Sequence, residues 1–127
     1  MRVKLTVMLV ALSLLIALSA AEQVAVRRVT DAALLQVNEI AERIGNGEMQ
    51  EALKKTHALD EAWDDHAKRL EVLVDHRSTD DVRYALSKLL AALDGGDEAA
   101  ALIYAGELEG GIEHVYERQA LTVENIF

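Results

Sequence analysis

Four histidines, one tryptophan and twenty-two carboxylates are the residues in this chain with the means to do chemistry. Histidine ligates metal or haem and moves protons near neutral pH. Paired carboxylates serve as acid and base. With no cysteine in 127 residues, a disulfide framework, a thiolate zinc site, an iron–sulfur cluster, covalent c-type haem and a cysteine nucleophile are all excluded. No Gly-rich phosphate loop, nucleophile elbow or His-Glu-x-x-His motif occurs. The carboxylates are many but not arranged in pairs: Asp64, Asp65, Asp80 and Asp81 read as solvated faces and helix starts. The chain therefore reads as a protein that is not an enzyme, with no cofactor and no metal assigned.

The histidines divide by position. At 100° per residue, His66 falls on the face of Leu59, Trp63 and Leu70, one turn from Trp63. Its first reading is a buried or half-buried imidazole hydrogen-bonded to a neighbouring helix, and a ligand role comes second. His57 falls on the solvent side and receives no role. Asp75-His76 closes a second helix, and Glu113-His114 stands late in a fourth. Sequence neighbours do not share a helical face, so neither pair chelates by itself. Helices two and four of an up-down bundle point the same way, which brings His76 and His114 to one end. Favourable interaction with the helix dipole accounts for both. A metal or haem site is the alternative, although no His-x-x-x-His or Glu-x-x-His spacing supplies two ligands from one helix. If helix two is continuous, Trp63 lies about 20 Å along its axis from His76, and Trp63, His76, His114 and Asn125 do not all meet.

The elements that must position these residues follow from period and punctuation. The absence of proline favours long helices. Helix one, about Gln23 to Ile44, carries Val26, Val29, Ala33, Val37, Ile40 and Ile44 as one stripe and ends at Gly45-Asn46-Gly47. Helix two, about Glu48 to His76, is expected to be the longest, with Met49, Ala52, Leu59, Trp63, His66, Leu70, Leu73 and Val74 inward. After a turn at Arg77-Ser78-Thr79, where Ser78 or Thr79 supplies a cap, helix three covers about Asp80 to Leu93. It buries Val82, Leu86, Leu89, Leu90 and Leu93. Asp94-Gly95-Gly96-Asp97 stops one helix and caps the next, about Glu98 to Gln119, with Ala101, Ala105, Leu108, Ile112 and Val115 inward. Short connectors make sequential helices antiparallel, so the expected fold is an all-α, up-down bundle of about four helices. In helix four, Ile103, Gly106, Gly110 and His114 point away from the core stripe. Two glycines there cost about 2 kcal/mol against alanine, and close approach of another helix, from this bundle or a second copy, would compensate.

The two ends of the chain have opposite characters. Leu5 to Ala21 is uncharged, with Arg2 and Lys4 before it. Seventeen helical residues span about 26 Å, slightly short of a hydrocarbon core of roughly 30 Å. Val24, Ala25 and Val26 extend the span, and with it attached Leu5 to Ile44 makes one rod of roughly 60 Å. An uncleaved anchor is the first reading. Cleavage before Glu22, at Ser19-Ala20-Ala21, is the second. Residues 1–21 are thus a signal peptide or anchor and residues 22–127 the extracytoplasmic bundle, because the positive end stays inside. With Arg2 and Lys4 set aside, the formal net charge of −9 becomes −11 over residues 22–127. Such a surface is repelled by nucleic-acid phosphate and by anionic headgroups, so no nucleic-acid partner is expected. An envelope protein or a second copy of the chain is the expected partner.

Trp63, Asp75-His76 followed by Asp80-Asp81, then Glu107-Leu108, Ile112, His114 and the closing Glu124-Asn125-Ile126-Phe127 resemble a bacterial family known as domain of unknown function 4363. The resemblance runs from about Gly47 to Phe127. It implies a helical protein of the cell envelope, preceded by an apolar segment, and no activity. It marks Trp63, His76, His114 and Asn125. Asn125 sits among Leu121, Val123, Ile126 and Phe127, whose apolar surface suffices to dock a tail that would otherwise fray.

Overall fold

The structure is a computed structural model that describes residues 1–70 and 76–126, the side chains of 119–126 excepted. Its described residues form four helices and no strand: α1 (Arg2–Gly45), α2 (Met49–Leu70), α3 (His76–Asp94) and α4 (Glu98–Ile126). Each helix packs on its neighbours in sequence, and α4 returns against α1 to close the ring. That is the up-down bundle expected from the stripe pattern and short connectors.

Two of the connectors are built alike. After α1, Gly47 takes φ +77°, its N–H donates to Ile44 O, and Glu48 N–H donates to Arg43 O. After α3, Gly96 takes φ +70°, its N–H donates to Leu93 O, and Asp97 N–H donates to Ala92 O. Both are Schellman motifs, which satisfy the last carbonyls of one helix while reversing the chain. Asp97 then caps α4, its Oδ1 accepting the Ala100 N–H at 3.1 Å. Asp97→Ala should cost about 1 kcal/mol in urea unfolding, the usual worth of such a cap.

The core follows the stripes closely. Val26, Ala33, Val37, Ile40 and Ile44 of α1 face Leu59, Trp63 and Leu70 of α2, together with Val82, Leu86, Leu89 and Leu93 of α3 and Ala101, Ala105, Leu108, Ile112 and Val115 of α4. Val29 is half-buried against that core. Threonines share it without penalty. Thr30 Oγ1 donates to Val26 O and Arg27 O, and Thr56 Oγ1 to Ala52 O, so each hydroxyl is satisfied within its own helix.

Three expectations about the elements are overturned. α1, with 44 residues, is the longest helix, since the apolar leader and the first bundle helix run together as one rod. His76 opens α3 instead of closing α2, and Asp75, Leu73 and Val74 lie outside the described residues. Ser78 and Thr79 are buried inside α3 and cap nothing: Thr79 Oγ1 donates back to His76 O at 2.9 Å. Helix α4 also continues beyond Gln119, so Asn125 falls within it, with its side chain outside the described set.

The first seventeen residues of α1, up to Leu18, are exposed. This part of α1 is long and apolar enough to cross a membrane, and a signal sequence has the same character. Its polar side chains are satisfied internally. Thr6, Ser13 and Ser19 hydroxyls donate to the carbonyls of Arg2, Leu9 and Leu15 at 2.8, 2.8 and 2.9 Å, which is what a helix in hydrocarbon requires.

Candidate functional site

Of the residues singled out above, Trp63, His66, His76 and His114 lie toward the end of the bundle where α2 finishes, α3 begins and α4 passes α1. Trp63 is 1% exposed, the largest fully buried side chain. Its indole Nε1–H donates to the Thr79 carbonyl of α3 at 3.4 Å. Since Thr79 is one turn from His76, Trp63 lies beside the first turn of α3. The 20 Å separation expected for a continuous helix two does not hold, because the chain has already reversed between them.

His66 is half-buried, as its place on the wheel requires. His57 is exposed, also as expected. His76 and His114 are at the same end of the bundle, and both are exposed. His114 Nδ1 lies 3.6 Å from a Glu117 carboxylate oxygen, a partner one turn along its own helix. Among the described residues, no three His, Asp or Glu side chains converge to hold a metal ion. Asp75 lies outside the described residues.

The charged groups nearby are linked across helices. Arg83 of α3 bridges Asp80 at 2.9 Å and Asp64 of α2 at 3.4 Å. Arg27 of α1 lies 4.7 Å from the centre of the Tyr116 ring and 3.4 Å from Asp31. Tyr116 foremost, and then Asp31, push the pKa of Arg27 further up. A shallow cleft between α1 and α4 opens there, lined by Arg27, Asp31, Glu113, Tyr116 and Glu117 among others. It brings opposed charges together, Arg27 against Asp31, Glu113 and Glu117. Ser78 Oγ, buried in the first turn of α3, has no hydrogen-bond partner among the described residues.

In the glycine groove of α4, Gly106 and Gly110 are exposed, and a Cβ at either would meet no atom of the described residues within 4 Å. Ile103 and Leu102 beside them are 63% and 44% exposed. The close helix–helix approach occurs instead at Gly111, where a Cβ would lie 3.5 Å from Val82 Cγ2 of α3. Sequence reasoning missed Gly111, although it belongs to the inward sector: it directly precedes Ile112 and lies three positions after Leu108.

Seen in the fold, the residues that carried the family resemblance split in two. Trp63, Leu108 and Ile112 are buried core. His76 and His114 are exposed at the end from which the apolar part of α1 projects. No curated protein and no solved structure matches this chain. A family match covers residues 21–126, the entire bundle and none of the preceding apolar stretch except Ala21, and the chain belongs to the family described as domain of unknown function DUF4363.

Proposed function

We propose that this protein is a non-enzymatic helical bundle, held at the membrane by α1 and projecting outside the cell, that binds a second envelope protein or another copy of itself. The observation that carries this reading is the outer face of α4. Two glycines in mid-helix cost about 2 kcal/mol against alanine. The described part of the chain gives nothing back, since no side chain packs into the space above Gly106 and Gly110. Exposed Ile103 and Leu102 border the same strip, so it is apolar as well as shallow. A partner helix seated there gains close backbone approach and covers both side chains.

Anchoring is supported by the unbroken run of α1 and by its basic start. Arg2 and Lys4 keep the N-terminus inside, which leaves the bundle outside. The bundle's net negative charge keeps it soluble and argues against phosphate-rich polymers as partners.

The test is crosslinking in native membranes combined with native mass spectrometry of the detergent-extracted chain. The expected result is a defined oligomer or one recurring partner, crosslinked through α4. A strictly monomeric chain that captures nothing would sink the proposal.

A further inference from the structure

The outer face of α4 carries more than its two glycines. Counting 100° per residue from buried Leu108, exposed Ala99, Leu102, Ile103, Gly106 and Gly110 share one sector of roughly 100° opposite the core. The sector runs for about three turns, and its residues are all small or apolar. Carboxylates frame it on every side. Glu109 stands on its α1 flank and Glu107 on its α3 flank. Glu98 closes the far end, and Glu113 and Glu117 close the end toward the apolar part of α1. All five are exposed.

The neighbouring helices do not reverse this sign. From Glu98 to Glu117 the sequence of α4 has no lysine or arginine, and His114 is set against Glu117 at 3.6 Å. On the α1 side Arg27 is paired with Asp31 at 3.4 Å and shares its cleft with Glu113 and Glu117. On the α3 side Lys88 lies 3.4 Å from Glu107, with Asp81 in the same depression. Stepping from the Arg27–Tyr116 contact puts Arg28 level with Val115, beyond the apolar sector, and Arg118 is further still. Glu109 and Glu113 form no ion pair among the described residues.

An apolar strip in a carboxylate frame selects its occupant. A second copy of this chain brings the same frame with it, so in either orientation carboxylates meet carboxylates, and like charges across an interface cost affinity. A helix whose apolar face runs between rows of lysine or arginine has the complementary pattern. Its apolar face covers Leu102 and Ile103, which are 44% and 63% exposed, and its cations reach Glu109 and Glu113.

We infer that the outer face of α4 is the docking groove for a cationic amphipathic helix of another protein, and not for a second copy of this chain. The inference rests on the partner-binding reading above and narrows its two occupants to one.

The probe is a fluorescent alanine-based helical peptide with lysines along both borders of its apolar face, titrated with the full chain in nonionic detergent. A matching peptide with glutamates at those borders is the comparison, and the lysine peptide alone should bind. Its affinity should fall by about tenfold in the double variant Gly106→Leu, Gly110→Leu, where branched side chains fill the groove. It should fall by about fivefold in Glu109→Gln, Glu113→Gln, the worth of two exposed ion pairs. The same loss of charge by Glu61→Gln, Asp65→Asn, on exposed sites of α2 diagonally across the bundle, should leave it unchanged. Second copies are read separately, because the chain has no cysteine and Ile103→Cys gives a disulfide-linked dimer under mild oxidation in membranes if two α4 faces meet. No such dimer is expected. A dimer through that cysteine overturns the inference and leaves the partner-binding reading standing, with a second copy as occupant. Peptide binding that ignores the leucine pair, or that falls equally with the α2 substitutions, is diffuse charge attraction and also overturns it. Absence of peptide binding overturns it as well, and if native membranes yield no crosslink through α4 the reading beneath it falls too.

Discussion

Trp63→Ala should remove about 3–5 kcal/mol of stability, most of what a domain of this size possesses. The indole is 1% exposed and the largest fully buried side chain. It sits where α2 ends and α3 begins, so its loss opens a cavity between two helices at once. Neighbouring alanines cannot fill it: Ala67 on the next turn of α2 and Ala85 on α3 are short and fixed to their backbones. For a bundle of about a hundred residues this corresponds to a fall in Tm of roughly 15–30 °C, read by far-UV circular dichroism of the full chain in detergent. Trp63→Phe is the milder variant. It keeps an aromatic ring and gives up the donor and the volume of the pyrrole ring, and the Nε1–Thr79 O bond is long at 3.4 Å. Its cost should stay near 1–2 kcal/mol. An alanine variant as stable as the parent would show that the indole is not core, and would reopen the reading of Trp63 as part of a ligand site.

The fold was legible because the stripes are regular and the stops are chemically unambiguous. Val26 to Ile44 on α1 keeps one apolar face over about five turns and Ala101 to Val115 on α4 over about four, and each Gly-containing stop adopts the positive φ that glycine allows. The α2–α3 reversal was not legible for a corresponding physical reason. No glycine or proline marks residues 70–76, and Leu70, Leu73 and Val74 continue the helical period through them, so periodicity alone carries helix two on to His76. That single misplacement moved His76 to the wrong helix and Trp63 away from it. It also turned two buried residues, Ser78 and Thr79, into supposed caps. The glycines show a second limit: spacing identified Gly106 and Gly110 as unusual, but only the packing reveals that Gly111 is the one pressed against Val82.

The double variant Gly106→Ala, Gly110→Ala should make the isolated bundle more stable by about 2 kcal/mol. A methyl group at either position enters open space, so the helix gains alanine's propensity without a clash. The double variant Gly106→Leu, Gly110→Leu should also fold, because the longer side chains still point outward. Its association should nevertheless weaken by tenfold or more, since branched side chains stand in the strip a partner helix would approach. Gly111→Leu is the control with the opposite sign. A Cβ there already lies 3.5 Å from Val82 Cγ2, so a leucine must push α3 away and destabilise the fold. Urea unfolding of the four chains in detergent, beside crosslinking yield in membranes, separates the possibilities. Lower stability in the alanine pair would mean that another part of this chain covers the groove. Unchanged crosslinking in the leucine pair would mean that partners bind elsewhere. Higher stability with lost association would mean that helix α4 gives up folding energy to keep a contact face shallow.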